Sequence, residues 1–368
     1  MSMDGVLRLY FGESNLPTPE YIKQAAWRAM EDGYTFYTEN AGLPSTRRAI
    51  ADYYHRIHAV TLDPATEIVV TASGVQALYV GVRCAIDPGD EAIILTPVWP
   101  NATSMVMMAN GTVKQIPHPL CDHRYRVDFD ALEAAITPRT RLLVYTSPSN
   151  PLGWVATSEE QDGLLELARR HGLWLMADEV YNRLYYESAE LGQPAPSILK
   201  KATREDAVMV AHSFSKSYCM TGWRLGYLIA RHDLARKATQ LNEFIVSHAP
   251  SFTQKAGETA MAEGEDELLR MLERLRDNRQ LCLDSLRGLS GITVPSPAGA
   301  FYLFPRIDGL TDSFAFCKRL LEETRVGLAP GVAFGAGGEG SVRICYAAER
   351  SILEPALERF AKFLNAGA

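Results

Sequence analysis

Short apolar runs rich in β-branched residues, separated by longer stretches with helical spacing, constrain this chain more than any other feature. The runs are Ile68-Val69-Val70-Thr71, Ala92-Ile93-Ile94-Leu95, Leu142-Leu143-Val144-Tyr145, Leu173-Trp174-Leu175-Met176, Ala207-Val208-Met209-Val210 and Tyr227-Leu228-Ile229. They lack clean polar alternation, as expected of strands covered on both faces. Val75 to Cys84, Ser158 to His171 and Ala235 to Ile245 between them read as helices. This alternation predicts an α/β fold whose sheet is mostly parallel and flanked by helices.

The pattern changes near residue 265. Glu265 to Leu289 reads as one long amphipathic helix, with Leu268, Met271, Leu272, Leu275 and Leu283 on a rough helical spacing. Short strands at Ile292 to Val294, Ala300 to Phe304, Val326 to Ala329 and Val342 to Tyr346 follow, with helices near Ser313 to Thr324 and Ile352 to Asn365. At 368 residues the chain is too long for one ordinary core. The reading is therefore a large domain over 35–264 and a smaller α+β domain formed by 1–34 and 265–368.

Composition narrows the function. A formal charge of −7 argues against nucleic acid as a partner, though not against small anions, which a few local cations bind. No apolar run reaches the length of a bilayer span, and Met1 to Leu9 lacks the apolar core of a signal peptide, so a cytoplasmic location is expected. None of the six cysteines forms a C-x-x-C pair, which points to reduced packing residues and to no metal site.

The most informative segment runs from Ser213 to Gly226, Ser-Phe-Ser-Lys-Ser-Tyr-Cys-Met-Thr-Gly-Trp-Arg-Leu-Gly. It directly follows a buried-strand pattern, which places it at a strand's C-terminal edge, where open α/β sheets bind ligands. A lysine there can form an imine with an aldehyde. The Ser213 and Ser215 hydroxyls and the Arg224 guanidinium can hold a phosphate by charge-assisted bonds. Taken alone, a lysine in a serine-rich turn is more often a solvated surface residue. The combination of Ser-x-Ser-Lys with Gly-Trp-Arg-Leu-Gly is far more specific. It resembles the lysine signature of class I/II aminotransferases, enzymes of the fold type I pyridoxal 5'-phosphate group, with Cys219 where a smaller or aliphatic residue is usual. The family's other motifs follow in order along nearly the whole chain.

The resemblance implies a large domain with a mostly parallel seven-stranded sheet, pyridoxal 5'-phosphate as cofactor, and Lys216 as its Schiff-base lysine and general base. Gly74, Val75 and Gln76 open a helix after a strand, where backbone N–H groups receive phosphate; in similar enzymes this turn cradles the cofactor phosphate. Trp99 would stack on the pyridine ring. Asn150 and Tyr181 would bond its 3-oxygen, although Leu152 replaces the usual Thr or Ser of the Asn-Pro-Thr-Gly turn. Asp178, a carboxylate after an apolar run, would bond the ring nitrogen. Arg343 and the backbone of Gly12, with Asn150, would take the substrate carboxylate. Tyr37 would reach the phosphate of a second subunit, which implies a homodimer with shared sites.

What the resemblance leaves open is the substrate and the reaction. Val75 stands where one aspartate-specific branch carries a lysine, Ser14-Asn15-Leu16 departs from Pro-Asp-Phe, and Gly12 comes so early that an extra N-terminal helix is expected to be missing. These features favour neutral or aromatic amino donors, unless Arg124, Arg126 or His118 supplies a cation. The expectation is transfer of an amino group from an L-amino acid to a 2-oxo acid. Lyases, synthases and amino-acid cyclases share the same cofactor shell and stay as alternatives. A ligand-sensing regulatory domain would need a basic DNA-binding segment before Tyr37, and none is seen.

Overall fold

The computed structural model describes residues 4–366. Seven strands form the central sheet: β1 (Ile68–Thr71), β2 (Glu91–Thr96), β3 (Thr112–Pro117), β4 (Thr140–Thr146), β5 (Trp174–Asp178), β6 (Val208–Ser213) and β7 (Gly226–Ala230). Their order is β1-β7-β6-β5-β4-β2-β3. All neighbours are parallel except that β7 runs antiparallel to β1 and β6. The six apolar runs are six of these strands. The seventh, β3, lies at the edge. It is half-exposed and carries Lys114 and Gln115, so it leaves no apolar run to read.

Side chains alternate between two buried layers, as the pleat demands. Val69, Ile94, Val144, Met176, Ala211 and Leu228 face one layer, with the helix α2 (Gly74–Ala85) packed on them. Val70, Ile93, Leu143, Leu175, Val210 and Tyr227 face the other. Each fully buried aliphatic side chain contributes about 1.5–3 kcal/mol. That two-sided burial fixes the register of the inner strands and brings most of their chemistry-bearing ends to one edge.

A further core surrounds the helix α4 (Glu265–Leu286), whose Leu268, Met271, Leu272, Leu275 and Leu283 are all buried. It includes a three-stranded sheet made by β8 (Tyr302–Leu303), β9 (Ala329–Pro330) and β10 (Val342–Cys345). The segment before residue 35 divides between the cores. Leu7–Arg8 pair in parallel with Val326–Gly327, and Leu9 joins the α4 core. Helix α1 (Glu20–Glu31) instead lies along α3 (Ser251–Glu263), and its Ile22 and Ala26 enter the sheet's core. Packing of the whole of 1–34 with the smaller domain does not describe this helix. Small buried residues on both helices, Ala25 and Ala29 on α1 and Ala256 and Ala260 on α3, suit the close approach. We propose that the domains follow these two cores, with α1 on the sheet side; residues 1–3 and 367–368 of the expected smaller domain lie outside the described residues.

One glycine ties the sheet to its functional edge. A Cβ on Gly226 would lie 2.4 Å from the Gly74 nitrogen and 2.7 Å from the His212 carbonyl oxygen, both backbone atoms. Gly226→Ala is expected to lower stability by about 1–3 kcal/mol in thermal unfolding, whereas Gly288→Ala, with nothing within 4 Å of its Cβ, stays near wild type. Equal melting of the two variants would contradict the tight approach.

Candidate active site

At the carboxyl edge of the sheet, strand ends and turns converge on a cavity of about 270 Å³. It is lined by Gly12, Gly74, Val75, Trp99, Asn150, Asp178, Tyr181, Ser213, Ser215, Lys216, Arg224 and Arg343. These are twelve of the fourteen residues singled out in the sequence.

The turn before α2 is built by Ser73, held at φ 122°. A non-glycine residue in that region costs on the order of 1–3 kcal/mol, the kind of strain that clusters at functional sites. Its hydroxyl caps α2 by accepting from the Gln76 N–H at 3.2 Å. Gly74 and Val75 then supply the helix-start donors that line the cavity. Gln76 itself does not line the cavity. Its side chain turns away, accepting from the Ala72 N–H at 2.6 Å and donating to Asn242 at 2.5 Å.

Ser213 ends β6 and accepts from the Ser215 N–H at 3.1 Å, while their hydroxyls lie 2.9 Å apart. This turn presents Lys216, whose Nζ donates to the Gly12 carbonyl at 2.5 Å. Burial pulls the Lys216 pKa down from its ordinary value, and nearby Arg343 and Arg224 add to the effect. The amine is thus closer to its nucleophilic form than a surface lysine. Arg224 follows in a left-handed turn at φ 52° and donates to the Thr221 carbonyl at 2.6 Å.

Asp178 closes β5. Burial pushes its carboxyl up to about 7, against the Val180 N–H, the Thr146 hydroxyl and the Lys216 charge. Among the described residues it has no ion-pair partner. Arg343, on β10, donates to Asn150 Oδ1 at 2.8 Å and to the Tyr10 carbonyl. Among the described residues its Nε is buried with no hydrogen-bond partner. A helix start for phosphate, an unpaired buried carboxylate for a protonated ring nitrogen, a buried amine for an aldehyde and an unsatisfied guanidinium donor match the donor set that pyridoxal 5'-phosphate and an amino acid require.

The family model for aminotransferase class I and II matches residues 6–360. The chain belongs to this family. It is 33% identical over 366 residues, 99% of this chain and 92% of the relative, to an aspartate aminotransferase of Pyrococcus horikoshii. It is 32% identical over 368 residues, 99% and 92%, to aromatic-amino-acid aminotransferase 2 of Thermococcus litoralis. The crystal structure of an aromatic aminotransferase from Pyrococcus horikoshii superposes with a TM-score of 0.93 at 32% identity, covering 99% and 97% of the two chains.

Tyr37 is the second sequence-selected residue that the aminotransferase does not bring to the cavity of its own chain. It is 91% exposed, with its ring edge-on to His248 at 5.7 Å. None of the three candidate extra cations reaches the cavity either. His118 is buried against Trp154 at 4.4 Å, and burial lowers its pKa to about 4, so it is neutral. Arg124 pairs with Glu187 at 3.2 Å, and with Arg126 it lines a separate cleft. Leu152, in place of Thr or Ser, is buried in the sheet's core.

Sequence reading missed Leu78, Thr146, Val180, Thr221 and Tyr302, which also line the cavity. Leu78 lies four residues after Gly74 on the same helix, and Thr146 ends β4 at the common edge. Both were within reach of periodicity.

The Asp178 carboxyl has a folded-state pKa raised from 3.8 to about 7. Between those values the folded protein binds more protons than the unfolded one, so this residue lowers stability as pH rises. In cofactor-free protein, Asp178→Asn is expected to gain about 2 kcal/mol or more over wild type at pH 8, with the gap closing towards pH 4. A gap that does not change with pH in thermal unfolding would contradict the raised pKa.

Proposed function

We propose that the protein binds pyridoxal 5'-phosphate in this cavity and transfers the α-amino group of a neutral or aromatic L-amino acid to a 2-oxo acid. The observation that carries the reading is the convergence of Lys216, Asp178 and Arg343 from distant parts of the chain on one cavity. When bound, pyridoxal 5'-phosphate supplies an electron sink for charge developing at the amino acid's α-carbon.

The protein's residues do the rest. Lys216 would hold the cofactor covalently, and its free amine would move the substrate's α-proton. Asp178 keeps the ring nitrogen protonated. Gly74, Val75, Ser213, Ser215 and Arg224 hold the phosphate, Trp99 stacks on the ring, and Asn150 with Tyr181 addresses the 3-oxygen. Arg343 takes the α-carboxylate as a planar fork beside Gly12.

The donor class rests on charge. Among the described residues, the cations lining the cavity are Lys216, Arg224 and Arg343, each already assigned a task, and Val75 occupies the phosphate turn. A distal carboxylate therefore finds no further cation in the cavity lining among the described residues. A homodimer is supported by Tyr37 and by neighbouring exposed apolar residues, Phe36 at 79% and Phe244 at 82%. In that dimer Tyr37 reaches the partner's cofactor phosphate. Free thiols at all six cysteines fit the reducing cytoplasm; among the described residues no helix is long and apolar enough to cross a membrane.

The deciding experiment mixes cofactor-loaded protein with single L-amino acids and no acceptor, and follows the absorbance spectrum. Conversion to the pyridoxamine form by phenylalanine, leucine or alanine faster than by aspartate is expected. A strong aspartate preference would overturn the donor class, and product release without that conversion would point to a lyase or cyclase. Lys216→Ala is expected to lose roughly a thousandfold or more in turnover; a normal rate would refute the role of Lys216. Light scattering should give a dimer, and a monomer would count against Tyr37 acting in a partner's site.

A further inference from the structure

Tyr302 lines the cavity and carries none of the tasks above. It lies on β8, fully buried. Its hydroxyl is 2.7 Å from that of Tyr181, and the two rings meet edge-on at 5.7 Å. The Arg343 guanidinium sits over its ring, 4.7 Å from the centroid. A Cβ on Gly12 would come within 2.5 Å of its hydroxyl. One side chain therefore touches the 3-oxygen tyrosine, the carboxylate arginine and the N-terminal glycine, which come from three separate parts of the fold.

The hydrogen-bond direction follows from the groups present. Burial and the neighbouring Tyr181 hold the Tyr302 hydroxyl protonated, against the pull of Arg343, with Cys345 on the adjacent strand acting in the same sense as burial. Each phenol has one proton to donate. If Tyr181 spends its proton on the cofactor's 3-oxygen, Tyr302 is the donor in the pair and Tyr181 the acceptor. A hydroxyl that accepts one hydrogen bond donates the next more strongly.

We propose that Tyr302 is a positioning residue of this aminotransferase: its hydroxyl strengthens Tyr181 as a donor to the 3-oxygen, and its ring holds the Arg343 fork in place for the carboxylate. This rests on the cofactor reading given above. A donor on the 3-oxygen weakens that oxygen's hold on the proton of the neighbouring cofactor–lysine linkage. Losing the Tyr302 hydroxyl therefore makes the linkage harder to deprotonate.

The test compares Tyr302→Phe, Tyr302→Leu, Tyr181→Phe and the Tyr181→Phe/Tyr302→Phe double variant as cofactor-loaded, full-length proteins. The readouts are the pH midpoint of the visible absorbance and the KM of the amino donor. Tyr302→Phe is expected to raise the midpoint by about half to one pH unit, the size of one net hydrogen bond, with KM within about twofold because the ring remains over Arg343. Tyr302→Leu adds a rise in KM of about tenfold. Tyr181→Phe shifts the midpoint further, and the double variant goes no further than Tyr181→Phe, because the hydroxyl acts through Tyr181. An unmoved midpoint in Tyr302→Phe, with Tyr181→Phe shifted, overturns the hydroxyl role and leaves the cofactor reading standing. An unmoved midpoint in Tyr181→Phe overturns both. A wild-type KM in Tyr302→Leu overturns the role of the ring, and if that variant does not fold, Tyr302→Phe decides the hydroxyl role alone.

Discussion

Ending an apolar strand in a carboxylate and then covering it is costly, because a buried charge needs a partner to offset its lost hydration. Asp178 is in that position at the end of β5, where hydrogen bonds and the nearby Lys216 charge do not offset its burial, and its carboxyl titrates near neutrality as a result. The surrounding groups are arranged around the same dry edge. Lys216 comes from the turn after β6, Asn150 from the turn after β4, and the helix start at Gly74 from the turn after β1. They meet because two-sided burial of the sheet leaves little freedom in where its strands end.

The cavity also lies where the sheet's core meets the core around α4. Among the polar contacts that cross this seam are Lys216 to the Gly12 carbonyl and Arg343 to Asn150. Apolar burial holds each core together, whereas these bonds join groups whose partners a bound amino acid can replace. The Arg343 guanidinium illustrates the point, with two of its donors engaged and Nε buried without a partner among the described residues. The guanidinium lies over the aromatic rings of Tyr302 and Phe334, 4.7 and 4.9 Å from their centroids.

Periodicity revealed the inner strands because they are apolar along their whole length. It did not reveal β3, whose edge position leaves it half in water and free to carry Lys114 and Gln115. Helix α1 shows a different limit. Its stripe of Ile22, Ala25, Ala26 and Ala29 announces a buried face, yet nothing in that stripe names the neighbour, and small residues on α3 make the sheet side the better fit.

For the site, residue identity by itself determined the chemistry on offer: an amine at Lys216, a carboxylate at Asp178, a fork at Arg343 and a helix start at Gly74. Those depend on side-chain type and on local turns, which a few consecutive residues specify. Only the tertiary structure decided which of them meet and in what state. It turned Gln76 towards Asn242, left Tyr37 in solvent, neutralised His118 by burial, and brought Tyr302 from a distant strand against both Tyr181 and Arg343. Direction, burial and partnership are set by elements far apart in the chain, so the packing of those elements decides them and no short stretch of sequence does.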